Sequence, residues 1–428
     1  MSAAEDWDSA DAADRHVHAK GDRELASLLI RDVKIDRRTG EETYTIRPTS
    51  ANVATILQYE RRWAGVLALN VFHGRIEARR TPPWHPLDAP KDPKPGPWTD
   101  ADTARAANWF ARTWIAGMKP ITVSTKCIDS AVIVAAEANA YHPVKEYWEP
   151  LKWDRDPRVA SLMPRYFGAV DTEYTRAVGT CLLVGAVARV YEPGCKHDLC
   201  PIVGGPQGAG KSSALKRLSH PWFSDSKIPI GEKDAYQQLR GVLLYELAEL
   251  AALSKSDVET TKAFISSGSD HYRPSYGRYA VDVPRQTSFV GTTNAESYLH
   301  DVTGGRRFPH VQAGRIDLKA LDRDRDQLWA EAVHLYRAGQ SWWFSADVAA
   351  QAAEETEERF VRHPWEAQIK SYLNTPKRLL EGVTTEELLA HCGVDTGHRT
   401  TAHAMTVGGI LHRLGWERRR PMVDGVRT

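Results

Sequence analysis

The sequence predicts an α/β protein: a parallel-sheet core, preceded by a helical domain and followed by a small winged-helix-like domain. Three observations carry that expectation. From Cys195 to about Trp343, short apolar runs alternate with helix-patterned segments, the order that a parallel sheet with crossover helices requires. Inside that stretch, GGPQGAGKSS at 204–213 stands between the apolar run Leu199–Val203 and the helix-patterned Ser213–Leu218. From Pro364 onward the pattern changes to short capped helices and a strand-like tail, as in a winged helix-turn-helix.

Residues 205–212 fit G-x-x-x-x-G-K-[ST] at every fixed position. Small residues let consecutive backbone N–H groups curl around phosphate oxygens. The fit predicts a bound nucleoside triphosphate, held by Gly205, Pro206, Gln207, Gly208, Ala209, Gly210, Lys211, Ser212 and Ser213. Lys211 adds a point charge at the β/γ positions, and the Ser212 hydroxyl suits Mg²⁺. A glycine-rich turn matching by accident would lack the flanking strand and helix.

Composition bounds the rest. A hydrophobic share of 42% and a charged share of 26% are ordinary for a soluble globular protein. The formal net charge of +1 means that any surface for nucleic acid must be local. No apolar run approaches membrane-spanning length, and the acidic, polar N-terminus is unlike a secretory signal, so the expected place is the cytoplasm. Five cysteines, an odd number, fit a reducing compartment. Cys195 and Cys200 have no second ligand pair at zinc spacing and read as ordinary thiols near a strand.

The first twenty or so residues read as disordered. Leu29–Ile35 and Thr43–Ile46 read as a strand pair around a turn at Arg38-Thr39-Gly40. Thr49-Ser50 caps a helix, and Leu67–Phe72 is a strand candidate. Residues 81–97 are proline-rich and linker-like. Thr99-Asp100 opens a helical block to about Ala140, and Arg176–Val190 is a helix leading into the P-loop strand. The expected domains are therefore 1–95, poorly defined; 96–194, helical; 195–345, the P-loop core; and 346–428, winged-helix-like.

A P-loop needs a carboxylate on a neighbouring buried strand to hold the Mg²⁺ shell or orient water. The run Gly241–Tyr245 ends in Glu246, with Glu249 following it; either glutamate, read blandly, caps the next helix. A third apolar run, Thr287–Thr293, ends in Asn294, an amide suited to the γ-phosphate or the attacking water, though Asn is also a common turn residue. Arg306 and Arg307 on a glycine-rich loop suit a charge sensor supplied by a neighbouring subunit.

The segments HPVKEYWEPLKWDRDPR, VARVYEPGCKHDLCPIVGGPQGAGKSS, LLYELAEL, KAFISSGSDHYRPSYGRYAVDVPRQTSFVGTTN and LHDVTGGRRFPHV together resemble the virulence-associated protein E family of phage and mobile-element ATPases. That family is similar to superfamily 3 helicases of the AAA+ class. The resemblance runs from about Trp98 to the C-terminus. It implies ATP and Mg²⁺ as cofactors, Ser212 and Glu246 at the metal, Glu246 as Walker B acid, Asn294 as sensor 1, and Arg306 or Arg307 as arginine finger. The spaced E-L-A-E departs from the adjacent acids of many AAA+ proteins and leaves Glu246 or Glu249 to activate water. A hairpin before sensor 1 that grips single-stranded DNA is also implied, with Lys262, Arg273, Tyr276, Arg278 and Tyr279 as contacts; the bland alternative is a hairpin whose Arg and Tyr pack locally.

The expected function is an ATP-driven, ring-forming DNA helicase or replication initiator of a phage or mobile element: the resemblance implies a hexameric homo-oligomer, single-stranded and duplex origin DNA as partners, and a separate primase in a bacterial host. A basic patch of His412, Arg413 and Arg418–Arg420 suits duplex phosphates or a solvated helix end. The alternatives are an ATP-switched origin- or partner-binding module that assembles without unwinding, and a small-molecule P-loop kinase, against which the Asn294 strand and the arginine loop stand.

Overall fold

The computed structural model describes residues 20–248, 255–274, 279–294, 307–358, 363–375, 382–417, 422–423 and 426–427. The polar N-terminal residues 1–19 lie outside this range. Two compact units make up the chain, the first reaching Glu357 and the second running from Glu358 onward.

The first unit begins with α1 (Asp22–Leu28), the antiparallel pair β1 (Arg31–Ile35) and β2 (Glu42–Ile46), and α2 (Ser50–Tyr59). Thr49 caps α2 by accepting from the Asn52 amide, as its residue type dictates. Asn52 is buried, so its side chain must be satisfied; it bonds the backbone of Ile30 and Arg47 and roots the strand pair on the helix. A small antiparallel sheet follows, β3 (Leu67–Asn70), β4 (Arg75–Ala78) and β5 (Gly96–Pro97), then α3 (Asp100–Arg112) and α4 (Thr125–Glu137).

The proline-rich segment is not a free linker. Trp84 and Trp98 both stand against Trp63, with ring centroids 5.8 and 6.3 Å away, and Trp63 meets Trp109 at 5.5 Å. One apolar cluster accordingly runs from Leu25 to Ala136, and the expected boundary between 95 and 96 cuts through it. Aromatic burial of this size outweighs the tendency of proline-rich chain to stay extended.

The expected boundary at 194/195 falls between a helix and the sheet whose core it shares. After α5 (Pro143–Trp148) and a π-helical turn at Leu162–Tyr166 comes α6 (Glu173–Tyr191), buried along nearly its whole circumference from Val178 to Val190. A helix apolar all round belongs at the centre of a fold. Its Leu182, Leu183, Ala186 and Val187 share one cluster with Val203, Val290 and Leu328 of the sheet-bearing region.

That region contains β6 (Ile202–Gly204), α7 (Lys211–Ser219), β7 (Phe223–Ser224), α8 (Lys233–Gln238), β8 (Leu244–Ala248), α9 (Lys255–Ser266), β9 (Ser269–Tyr272), β10 (Val281–Pro284), β11 (Ser288–Thr293), β12 (His310–Gln312), α10 (Leu318–Arg337) and α11 (Ala346–Glu358). Five strands form a parallel sheet in the order β12-β6-β11-β8-β7. β11 therefore lies between the P-loop strand and the acidic strand, and its six residues are all buried, as a strand covered on both faces requires. α11 contributes Val348 and Ala352 to this core, so the core extends past the expected limit at 345.

The second unit holds α12 (Trp365–Leu373), α13 (Thr385–His391), α14 (Thr401–Arg413) and the antiparallel pair β13 (Met422–Val423) and β14 (Val426–Arg427). Ile369, Leu373, Leu388, Leu389, Val407 and Ile410 form its core. Capping boxes at Thr384 and Thr400 fix where α13 and α14 begin. Among the described residues, no helix is long and apolar enough to cross a membrane.

Candidate nucleotide site

The site assembles where three parallel strands end together. Thr293 of β11 is level with Gly204 of β6, and Thr292 with Ala248 of β8. The chain leaves β6 through Gly208 and Gly210, with φ of 79° and 90°, a left-handed backbone that glycine enters without steric cost. Gly210 then turns directly into α7, whose first residue is Lys211. Backbone amides at a helix start, together with its positive dipole end, form an anion cradle. Residues 207–213, Glu246 and Thr292–Asn294 line an open cavity of about 360 Å³ there.

Lys211 is only 7% exposed, and its Nζ donates to the carbonyls of Gly205 (2.7 Å) and Pro206 (2.9 Å) and to Oδ1 of Asn294 (2.9 Å). Burial lowers its pKa from the ordinary lysine value, and the nearby Glu246 carboxylate opposes that shift. Ser212 donates from Oγ to Oε1 of Glu246 at 2.7 Å. Glu246 is 2% exposed; its Oε1 also accepts from Thr292 Oγ1 at 2.6 Å, while its Oε2 is buried without a hydrogen-bond partner among the described residues. Four residues predicted from three separate stretches, Lys211 and Ser212, Glu246, and Asn294, thus meet in one place.

Glu246 does not end its strand as expected. β8 continues through Leu247 to Ala248 because both still pair with β11. The carboxylate reaches the loop from inside the sheet, which is why it is buried. Asn294 follows β11 directly, as expected of the strand-end amide. Glu249 and Arg306 lie outside the described residues.

Arg307 stands at the other edge of the sheet. Its Nε donates to Oδ2 of Asp198 at 3.1 Å, and its carbonyl accepts from the Cys200 amide at 2.7 Å, two residues before β6. Asp198 had no distinguishing signal in the sequence. Thr292 had one: a hydroxyl inside a wholly buried strand needs a partner.

The hairpin region forms as β9 and β10, paired from Tyr272↔Val281 to Ser269↔Pro284. Its base is anchored by the buried ion pair of Arg285 with Asp270, and Arg285 also donates to the Phe264 carbonyl. Tyr279 is 81% exposed and Arg273 is exposed; Tyr276 and Arg278 lie outside the described residues. Lys262 is not on that surface: it is 5% exposed and its amine bonds Glu259 at 2.9 Å, one helical turn back on α9.

The sheet order and the loop on β6 define a P-loop α/β protein in which one strand separates the P-loop strand from the acidic strand. The chain belongs to the virulence-associated protein E-like domain family, whose model matches residues 148–361. No curated protein sequence matches it. Among solved structures it is similar to the NrS-1 C-terminal region in its A form, at 14% identity over 63% of this chain and 70% of that one, with a TM-score of 0.36. A RuvB mutant of Thermotoga maritima is similar at 14% identity over 56% of this chain and 95% of that one, with a TM-score of 0.22.

Proposed function

We propose that this chain is an ATP-hydrolysing motor of a phage or mobile genetic element, a ring-forming DNA helicase or replication initiator that moves on single-stranded DNA as a homo-oligomer. The observation that supports this most is the meeting of Lys211, Ser212, Glu246 and Asn294 at one sheet edge. The residues fit ATP with Mg²⁺: the unpartnered Glu246 Oε2 and the Ser212 hydroxyl are hard oxygen donors side by side, the set that a divalent cation takes. Ser212 and Glu246 would hold the ion, which supplies charge neutralisation at the phosphates when bound.

The chain's own groups do the rest. The loop amides and Lys211 bind and orient the phosphates. Lys211 exchanges its two loop carbonyls for phosphate oxygens, so binding is coupled to a rearrangement of its bonds. Asn294, tied to Lys211, senses that exchange without adding charge. Glu246 orients the attacking water, with Glu249 as its alternative, and Arg306 or Arg307 acts on a neighbouring subunit's nucleotide. The β9–β10 hairpin carries Arg273, Tyr276, Arg278 and Tyr279 as strand contacts, basic and aromatic groups that suit sequence-independent binding. The second unit, three helices and a strand pair among its described residues, serves as a winged-helix-like duplex or partner contact.

ATP hydrolysis by the purified protein, with and without single-stranded DNA, beside Lys211→Ala and a sizing run, tests this. Strong stimulation, lost in the variant and accompanied by assembly, is expected. Hydrolysis indifferent to DNA with no assembly would overturn the motor in favour of the nucleotide-switched binding module.

A further inference from the structure

The Glu246 carboxylate is held unevenly. Oε1 accepts two hydroxyl donors, Ser212 at 2.7 Å and Thr292 at 2.6 Å, and Oε2, although buried, accepts none among the described residues. The two donors differ in kind. Ser212 is exposed in the first turn of α7, at the mouth of the cavity. Thr292 is 6% exposed and lies in β11, hydrogen-bonded into the sheet on both sides.

Register explains why Thr292 reaches Glu246. Val290 is the cross-strand partner of Glu246, and Thr292 lies two residues further along the same strand. Alternation puts both on the same face of the sheet. A hydroxyl drawn toward a cation cannot also be counted on to hold the carboxylate, whereas a hydroxyl fixed by the sheet can. A buried carboxylate with only one occupied oxygen must otherwise turn to satisfy the other.

We propose that Thr292 is a positioning residue for Glu246: its O–H fixes Oε1 and thereby keeps Oε2 available for the cation and its water shell. This rests on the nucleotide-site reading above but not on hydrolysis or DNA movement. Such outer partners of metal-binding carboxylates are worth roughly ten- to a hundredfold in metal affinity or activity.

The test is binding of a fluorescent, non-hydrolysable ATP analogue by Thr292→Val and Thr292→Ser, with Mg²⁺ and with EDTA, followed by hydrolysis against Mg²⁺ concentration. Thr292→Val preserves shape and removes the hydroxyl; Thr292→Ser keeps it. Expected is that the wild type binds more tightly with Mg²⁺. Thr292→Val should lose about tenfold of that gain while its binding in EDTA stays within about twofold of wild type, a split a merely structural role would not produce. Thr292→Ser should restore the gain. If Thr292→Val does not fold, Thr292→Ala makes the same comparison without the added methyl. The inference is overturned if wild type gains nothing from Mg²⁺, if Thr292→Val keeps the full gain, or if the serine variant fails as badly as the valine one. A wild type that shows the gain but never hydrolyses ATP would sink the motor and leave Thr292 to be judged on binding.

Discussion

Arg307 and Asp198 form an ion pair at 3.1 Å within one chain, at the opposite end of β6 from the phosphate-binding loop. Asp198 is 9% exposed in its side chain and Arg307 is 24% exposed. Removing the arginine leaves a nearly buried carboxylate short of its partner, a loss of about 1–3 kcal/mol. Arg307→Ala should therefore lower the urea midpoint as well as hydrolysis. If Arg307 is the finger, mixing Arg307→Ala with Lys211→Ala should recover part of the activity, because each supplies what the other lacks. Recovery with Arg306→Ala in its place, and none with Arg307→Ala, would assign the role to Arg306.

Lys211→Ala should reduce hydrolysis by about a hundredfold or more, the scale of losing a preorganised charge at developing phosphate charge. It should not unfold the protein, since Lys211 stands at the edge of an open cavity and packs into no apolar cluster of the core. Circular dichroism and a thermal melt beside the ATPase assay would check both halves.

Gly185→Ala poses a contest of signs. In an ordinary exposed helix the change gains up to about 1 kcal/mol. Here the new methyl would meet the His197 ring at 2.3 Å, inside a core where His197 is 1% exposed. Overpacking of this kind costs about 1–3 kcal/mol and should win. A variant as stable as wild type in urea would show that the ring can move aside.

His197 also sets an acid limit. Burial, with the Arg189 charge adding to it, pushes its pKa from 6.5 to about 3. Below pH 6.5 the unfolded chain takes a proton that the folded chain refuses, so stability falls as pH drops from 6.5 towards 3 and is unaffected by this group above 6.5. The contribution at pH 5 is a loss of about 2 kcal/mol relative to pH 8. His197→Leu should flatten the pH 5–7 part of the urea-midpoint profile, whatever it does to the absolute value.

Tyr279→Ala should weaken single-stranded DNA binding about tenfold, within the roughly 1–3 kcal/mol that one base–aromatic stack supplies. Nucleotide binding without DNA should not change, because the residue is 81% exposed on the hairpin. Fluorescence anisotropy with a labelled oligonucleotide reads the first effect and the analogue titration reads the second.

The local chemistry of the site was legible because its signals are short-range. Glycines at the loop and an amide after an apolar run mark their own strand ends, an acid after another apolar run marks its strand though not the end of it, and threonines at 49, 99 and 384 announce helix starts that the structure places there. What depends on distant packing was not legible. Nothing near residues 81–97 says that Trp84 and Trp98 meet Trp63. The length of β8 past Glu246 is decided by β11, forty residues on. Helix α6 is the instructive case: the run TCLLVGAVARVY carries no polar face, yet which elements surround it is settled only by the folded chain.

The all-round burial of α6 has a practical side. A fragment cut to begin at Cys195 would hold the loop, the acidic strand and the arginine, yet would strip α6 away from Leu321, Leu328 and Ala332 of its own cluster. The bared surface would make that fragment sticky before it made it inactive. Phe72, far upstream, belongs to the same cluster, and its carbonyl accepts from the Gly241 amide. Anyone trimming this protein for biochemistry should treat everything from Leu25 to α11 as one indivisible piece.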